Sequence, residues 1–174
     1  NNITTLPMWK RAQAGLGYLP QQPSIFRGLS VENNIMAILE TTKLNLDQRI
    51  NRLEELLAEF NLTHLRNAMP HQLSGGERRK CECARLLGTN PSYVLFDEPF
   101  SALDPISIND IKSEINRLKK KGISVIITDH QVREVLDISD YNYLLFSGEI
   151  IAHGTSEKIL GSKEARKFYL GDTF

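Results

Sequence analysis

The residues best suited to chemistry sit at the end of one apolar run. Residues 93–96 read Tyr-Val-Leu-Phe, and Asp97, Glu98 and Pro99 follow directly. In open α/β sheets, ligand binds at the carboxyl ends of the strands, which is where this acidic pair falls. Neighbouring strand residues point to opposite faces. Asp97 can therefore hold a magnesium ion, directly or through water, while Glu98 faces a water as general base toward a terminal phosphate. Taken alone, the pair also fits an acidic loop. An apolar strand ending in two charges is costly without a purpose, which favours the chemical reading.

A second constellation is Leu73, Ser74, Gly75, Gly76 and Glu77. The start of a helix offers unpaired N–H groups and the positive end of the dipole, and glycine lets a phosphate come close. The same residues fit a plain helix start, because Ser74 followed three positions later by Glu77 is a capping-box pattern. Gln21 after Pro20 and His130 after an apolar run are further polar candidates, and singly each fits a loop or cap. A phosphate-cradling P-loop needs a Gly-Lys pair within GxxxxGK[ST], and no Gly-Lys pair occurs. The chain reads as a truncated piece.

The elements that must position these residues follow from periodicity. Residues 16–19 are a short apolar run between Gly15 and Pro20, expected to be a buried strand. Ser30 caps a helix to about Leu39, and Asp47 caps another with Ile50, Leu53, Leu57 and Phe60 on one face. A helix opens at Ser74 and runs to about Leu87. Apolar runs at 93–96 and 123–128 flank a helix over 106–121, striped by Ile108, Ile111, Ile115 and Leu118. Asp104 serves as its cap, with Pro105 at the first helical position. This βαβ rhythm with continuous apolar strands implies a parallel sheet covered on both faces. Residues 143–146 and 150–152 flank Ser147, Gly148 and Glu149 as a hairpin. The basic turn Lys119, Lys120, Lys121 before Gly122 reads as a solvated helix end.

Composition agrees with a globular domain: 174 residues, 41% hydrophobic and 24% charged. The 21 basic residues balance 21 acidic ones, so no overall field draws the chain to nucleic acid or anionic lipid. No apolar run reaches bilayer length and the first residues lack the pattern of a signal peptide, so a cytosolic setting is expected. Cys81 and Cys83, two apart on a helix, point about 200° apart and suit packing rather than a disulfide or shared metal. His64, His71, His130 and His153 lack zinc-site spacing.

Together these residues resemble the ABC-transporter ATPases over essentially the whole chain. Tyr18-Leu19-Pro20-Gln21 resembles the Q-loop, Leu73 to Glu77 the signature, and residues 94–98 the Walker B strand. Ser101-Ala102-Leu103-Asp104 resembles the D-loop and Ile127-Thr128-Asp129-His130 the H-loop, all in the family's order. The resemblance implies an α/β fold of the P-loop NTPase type. Its mostly parallel sheet is flanked by helices, incomplete at the N-terminus, and carries an inserted α-helical subdomain. Residues 1–22 would then close the first part of the ATPase core, 23–90 form the helical subdomain ending in the signature helix, and 91–174 complete the core with a C-terminal hairpin and helix.

The resemblance also implies roles. Gln21 would meet magnesium and the attacking water and couple to a membrane partner. Asp97 would serve the magnesium, Glu98 would be the catalytic base and His130 would contact the γ-phosphate. Ser74, Gly75, Gly76 and Glu77 would complete the nucleotide site of a second subunit, with Asp104 lining that dimer interface. ATP and Mg2+ are the implied cofactors. The implied assembly is a head-to-tail homodimer beneath two transmembrane permease subunits, peripheral on the cytoplasmic face of the inner membrane and without nucleic acid.

Stretches beyond these motifs, including Ser24 to Arg27, Asp104 to Ser107, Val132 to Glu134 and Tyr169 to Asp172, resemble the ATPase subunits of lipopolysaccharide export transporters. In that branch Phe26 and Arg27 would line the groove for the permease's coupling helix. Glu77 stands where many relatives have Gln, and Cys81 and Cys83 are atypical. Without a P-loop, residues 1–174 alone are expected to hydrolyse no ATP. The competing readings are an ATPase of a branched-chain amino acid importer, a non-transport ABC protein acting on DNA or ribosomes, and a catalytically dead interaction module. The DNA or ribosome reading would need coiled coils or a tandem half, which the sequence lacks; Asp97, Glu98 and His130 argue against the last.

Overall fold

The computed structural model describes residues 2–101, 103–162 and 165. Ala102 of the D-loop stretch and the terminal Tyr169, Leu170, Gly171 and Asp172 lie outside the described residues. The chain forms two compact units, Asn1–Pro99 with Asp104–Thr128, and Phe100–Leu103 with Asp129–Phe174.

In the first unit, β1 (Leu16–Leu19), β2 (Tyr93–Asp97) and β3 (Ser124–Thr128) form a parallel sheet in that order. Leu19 lies opposite Phe96, and Asp97 opposite Thr128. α5 (Pro105–Lys120) is the crossover between β2 and β3. Asp104 caps it by accepting from the N–H groups of Ile106 and Ser107, with Pro105 at the first helical position. Ile108, Ile111, Ile115 and Leu118 are its buried stripe, as the period predicts.

Only one face of this sheet is buried within the described residues. Leu19, Val94 and Phe96 are buried, whereas Tyr18, Tyr93 and Ile126 are about half exposed. The expectation of two covered faces is therefore corrected: apolar content identified the strands but not how many faces they hide. α4 (Gly75–Gly88) packs on β1 at Gly17, where a Cβ would come within 2.7 Å of Leu86 Cδ1. A larger residue there would have to displace the Leu86 side chain.

α2 (Val31–Leu39), α3 (Leu46–Glu59) and α4 pack on one another around Ile35, Leu39, Leu53, Leu56 and Leu57. Burying one such side chain fully stabilises by roughly 1.5–3 kcal/mol. Ser30 caps α2 through Asn33 N–H. α3 departs from the sequence expectation in two ways. Its cap is Asn45, not Asp47, because Asn45 and Gln48 exchange side-chain to backbone bonds at 3.0 Å. Ile50 is exposed, and Leu56 takes the buried place. A short helix, α1 (Met8–Gln13), precedes β1 and was not expected, since it has neither a buried residue nor a capping side chain.

The second unit holds α6 (Val132–Ile138), the antiparallel pair β4 (Asn142–Phe146) and β5 (Glu149–Gly154), and α7 (Ser156–Gly161). Ser147 and Gly148 form the two-residue turn, both at positive φ, and Glu149 already belongs to β5. Ile159 and Ala165 are buried at its centre, packed by Val132, Leu136, Leu144 and Ala152.

Candidate active site

Asp97 ends β2 on the open face of the sheet, and the parallel register brings its neighbours to it. Tyr18, two residues before Pro20 on β1, donates its hydroxyl to Asp97 Oδ2 at 2.8 Å. Thr128, directly opposite on β3, donates to Oδ1 at 2.8 Å. Each oxygen thus accepts one bond and keeps a lone pair, and the two donors fix the carboxylate plane. The Tyr18 phenol is pushed above its usual value, first by this hydrogen bond and then by burial and the carboxylate charge.

Glu98 leaves the strand at φ 44°, a left-handed backbone that few non-glycine residues adopt. Its N–H donates to Thr128 O at 2.7 Å, which holds the turn in place. The separation of the two carboxylates therefore comes from this turn and not from strand alternation, which ends at Asp97. Strained backbone of this kind costs on the order of 1–3 kcal/mol and collects at functional sites. Gln21 Nε2 donates to Glu98 Oε2 at 2.9 Å, so residues 77 positions apart meet.

Ser74 caps α4 with a closed capping box. Its hydroxyl accepts from Glu77 N–H at 3.2 Å, and Glu77 Oε2 accepts from Ser74 N–H at 2.7 Å. Hydrogen bonding to the carboxyl from the Ser74 backbone first, then from its side chain, pulls Glu77 below its usual value. A Cβ on Gly75 or Gly76 would meet nothing within 4 Å, and neither has positive φ. No contact within the described residues requires glycine at either place. The Asp104 carboxyl is lowered by hydrogen bonds from Ser107 first, then Ile106.

His130 belongs to the second unit and its side chain is 65% exposed, beside an Asp129 side chain that is fully buried. Asp129 accepts from the N–H groups of Phe100 and Gln131, both at 2.9 Å, and Gln131 Nε2 returns a bond to Phe100 O at 2.6 Å. The loop that presents His130 is thereby fixed at both flanks.

Phe26 and Arg27 are exposed. Buried Asn34 holds Phe26 from both sides, accepting from its N–H at 2.9 Å and donating to its carbonyl at 3.1 Å. The sequence reading gave Tyr18 no role of its own and missed Asn34. The available signals were the period-two alternation that sets Tyr18 on the face of Asp97, and an asparagine on the apolar stripe of α2. Cys81 and Cys83 are free and buried, and burial pushes both thiols up to about 12.

Residues 1–101 match the family model described as ABC transporter. The chain is 50% identical over its whole length to an uncharacterized ABC transporter ATP-binding protein of Rhizobium meliloti strain 1021, of which it spans 64%. It is 49% identical, over 99% of its length, to the lipopolysaccharide export system ATP-binding protein LptB of Haemophilus influenzae, spanning 72% of that protein. Against LptB of Escherichia coli K12 the figures are 48% over all of the chain and 73% of the relative. Among solved structures, the ADP conformation of the ATP-binding cassette MJ1267 matches at TM-score 0.81 and 26% identity, over 99% of this chain and 74% of that one. The chain belongs to the ABC transporter ATPase family. Its mostly parallel sheet with flanking helices agrees with that of the cassettes.

Proposed function

We propose that this chain carries the hydrolytic and signature elements of an ABC ATPase that powers lipopolysaccharide export. In this reading two copies work head to tail beneath two transmembrane permease subunits, on the cytoplasmic side of the inner membrane. The lipopolysaccharide assignment rests on the likeness to proteins named LptB, 48–49% identical over nearly the whole chain. Family membership and the absence, among the described residues, of any helix long and apolar enough to cross a membrane agree with a subunit that reaches the membrane through partners. The P-loop, absent from these residues, would be contributed by sequence outside them. Residues 1–22 and 91–174 are assigned to the ATPase core and 23–90 to the helical subdomain.

The observation that carries the catalytic reading is the joint placement of Gln21, Asp97 and Glu98 at the carboxyl edge of a parallel sheet. Asp97, with one lone pair left on each oxygen, fits a hydrated Mg2+. Among the described residues no three His, Cys, Asp or Glu gather to hold a metal by themselves. That suits magnesium, which keeps several waters and binds through one or two carboxylates plus substrate phosphates. Bound there, it would neutralise charge on the phosphates. Gln21 orients the Glu98 carboxylate, which takes a proton from the attacking water. His130 contacts the γ-phosphate. The Ser74 hydroxyl and the N–H groups of Gly75 and Gly76 meet the nucleotide of the second copy, which accounts for two glycines that packing does not need, and Asp104 lines that interface. Phe26 and Arg27 receive the permease helix.

The test is hydrolysis by the complete protein with its copurified permeases. Glu98→Gln is expected to lower kcat by roughly 10²–10⁴-fold while ATP binding persists. Turnover that survives this substitution, or copurified permeases for a cargo other than lipopolysaccharide, overturns the corresponding half of the reading.

A further inference from the structure

α4 carries three charged residues one turn apart, Arg79, Glu82 and Arg85, that the chemistry above does not use. Glu82 is the anomaly, a carboxylate only 4% exposed between two core cysteines. Burying a charge is expensive unless it is fully paired. Its partners lie on the loop after Gln21. Glu82 Oε1 accepts from the N–H groups of Ser24 at 2.5 Å and Ile25 at 3.1 Å, and Oε2 lies 3.3 Å from Arg79 Nη1. Arg79 Nη1 also donates to Pro20 O at 3.0 Å, and Arg85 Nη1 to Ser24 O at 2.7 Å. The Arg85 guanidinium lies 4.1 Å over the ring of Phe26. One face of a single helix thus holds residues 20, 24, 25 and 26, the segment that runs from beside Gln21 to Phe26.

We infer that Glu82 is a positioning residue that makes this loop and the signature helix move as one body. Two consecutive backbone N–H groups converge on one carboxylate oxygen, so the loop cannot shift without α4 or without stranding two donors and a buried charge. A load applied at Phe26 then reaches Gln21 along the chain and Ser74 through the helix. Cohesion of α4 alone would not need a carboxylate here, since Ala84 and Leu87 pack on it without polar groups. The inference rests on the ATPase reading above.

The experiment compares the complete wild-type protein with Glu82→Leu and Glu82→Gln, each with and without its permeases. Glu82→Leu keeps the buried bulk but removes both the acceptor for the Ser24 and Ile25 N–H groups and the charge facing Arg79. It is expected to reduce the ratio of permease-stimulated to basal hydrolysis by about five-fold or more, the lower range of a coupling effect. Basal kcat and KM should stay within about two-fold, a split that general loss of structure would not produce. Glu82→Gln, which keeps an acceptor oxygen for the loop, should recover part of the ratio. A folded Glu82→Leu protein whose ratio matches wild type overturns the inference. Hydrogen exchange on the wild type is an independent arm: Ser24 and Ile25 amides should exchange as slowly as those inside α4, and exchange at open-loop rates overturns the link. If the wild type shows no Glu98-dependent hydrolysis, the ATPase reading fails while the exchange result still decides whether the loop is bound to α4.

Discussion

Tyr18 touches the candidate metal carboxylate through one bond, its hydroxyl to Asp97 Oδ2. Removing it leaves Thr128 as the donor on the opposite oxygen, so Asp97 stays in place but is oriented from one side. In the complete protein, Tyr18→Phe is expected to raise the Mg2+ concentration for half-maximal hydrolysis by several-fold and at most about ten-fold, the worth of one hydrogen bond near 1 kcal/mol. The rate at saturating Mg2+ should be nearly unchanged. A magnesium titration checks this, and a fall in saturating rate with no change in midpoint would remove Asp97 from the metal. Asp97 and Glu98 were legible in sequence because two charges end an apolar run. The direction of Glu98 was not, because left-handed backbone at a glutamate depends on a long-range bond to Thr128 O that no local pattern announces.

Among the elements, legibility followed the caps. Ser30, Ser74 and Asp104 each stand directly before a helix and bond to its first turn, and all three were readable from their spacing. At α3 the sequence reading placed the cap at Asp47, two residues past the true one. The reciprocal pair with Gln48 decides for Asn45. Asn45→Ala in the complete protein is therefore expected to cost about 1 kcal/mol and lower Tm by about 2–4 °C for a domain of this size. Asp47→Ala, in the first turn, should lower it less. Thermal melts of the two variants check the order, and the reverse order would return the cap to Asp47. α1 was illegible for a related reason: six residues with no buried side chain leave no period to read.

Over the whole molecule, burial that has no role in the chemistry still sets how stability responds to pH. Cys81 and Cys83 sit in the helical group of the first unit, and burial holds both thiols up to about 12 against 9 in the open. Between those values the unfolded chain has released protons that the folded chain keeps. Stability is thus unaffected by these thiols below about pH 9 and falls as pH rises from there toward 12, because the unfolded state binds fewer protons. Lysines and tyrosines titrate in the same range, so the measurement is a difference. Urea unfolding of wild type and of Cys81→Ala with Cys83→Ala, at pH 8 and again at pH 10.5, should show wild type losing more stability between the two. The variant begins lower at pH 8, since each replacement removes a buried sulfur, and the gap should narrow or close at the higher pH. Native thiols should also resist alkylation at pH 8, where reactivity requires the thiolate. Equal losses in the two proteins would mean that water reaches the sulfurs and that the packing of α2, α3 and α4 around them is looser than their burial implies.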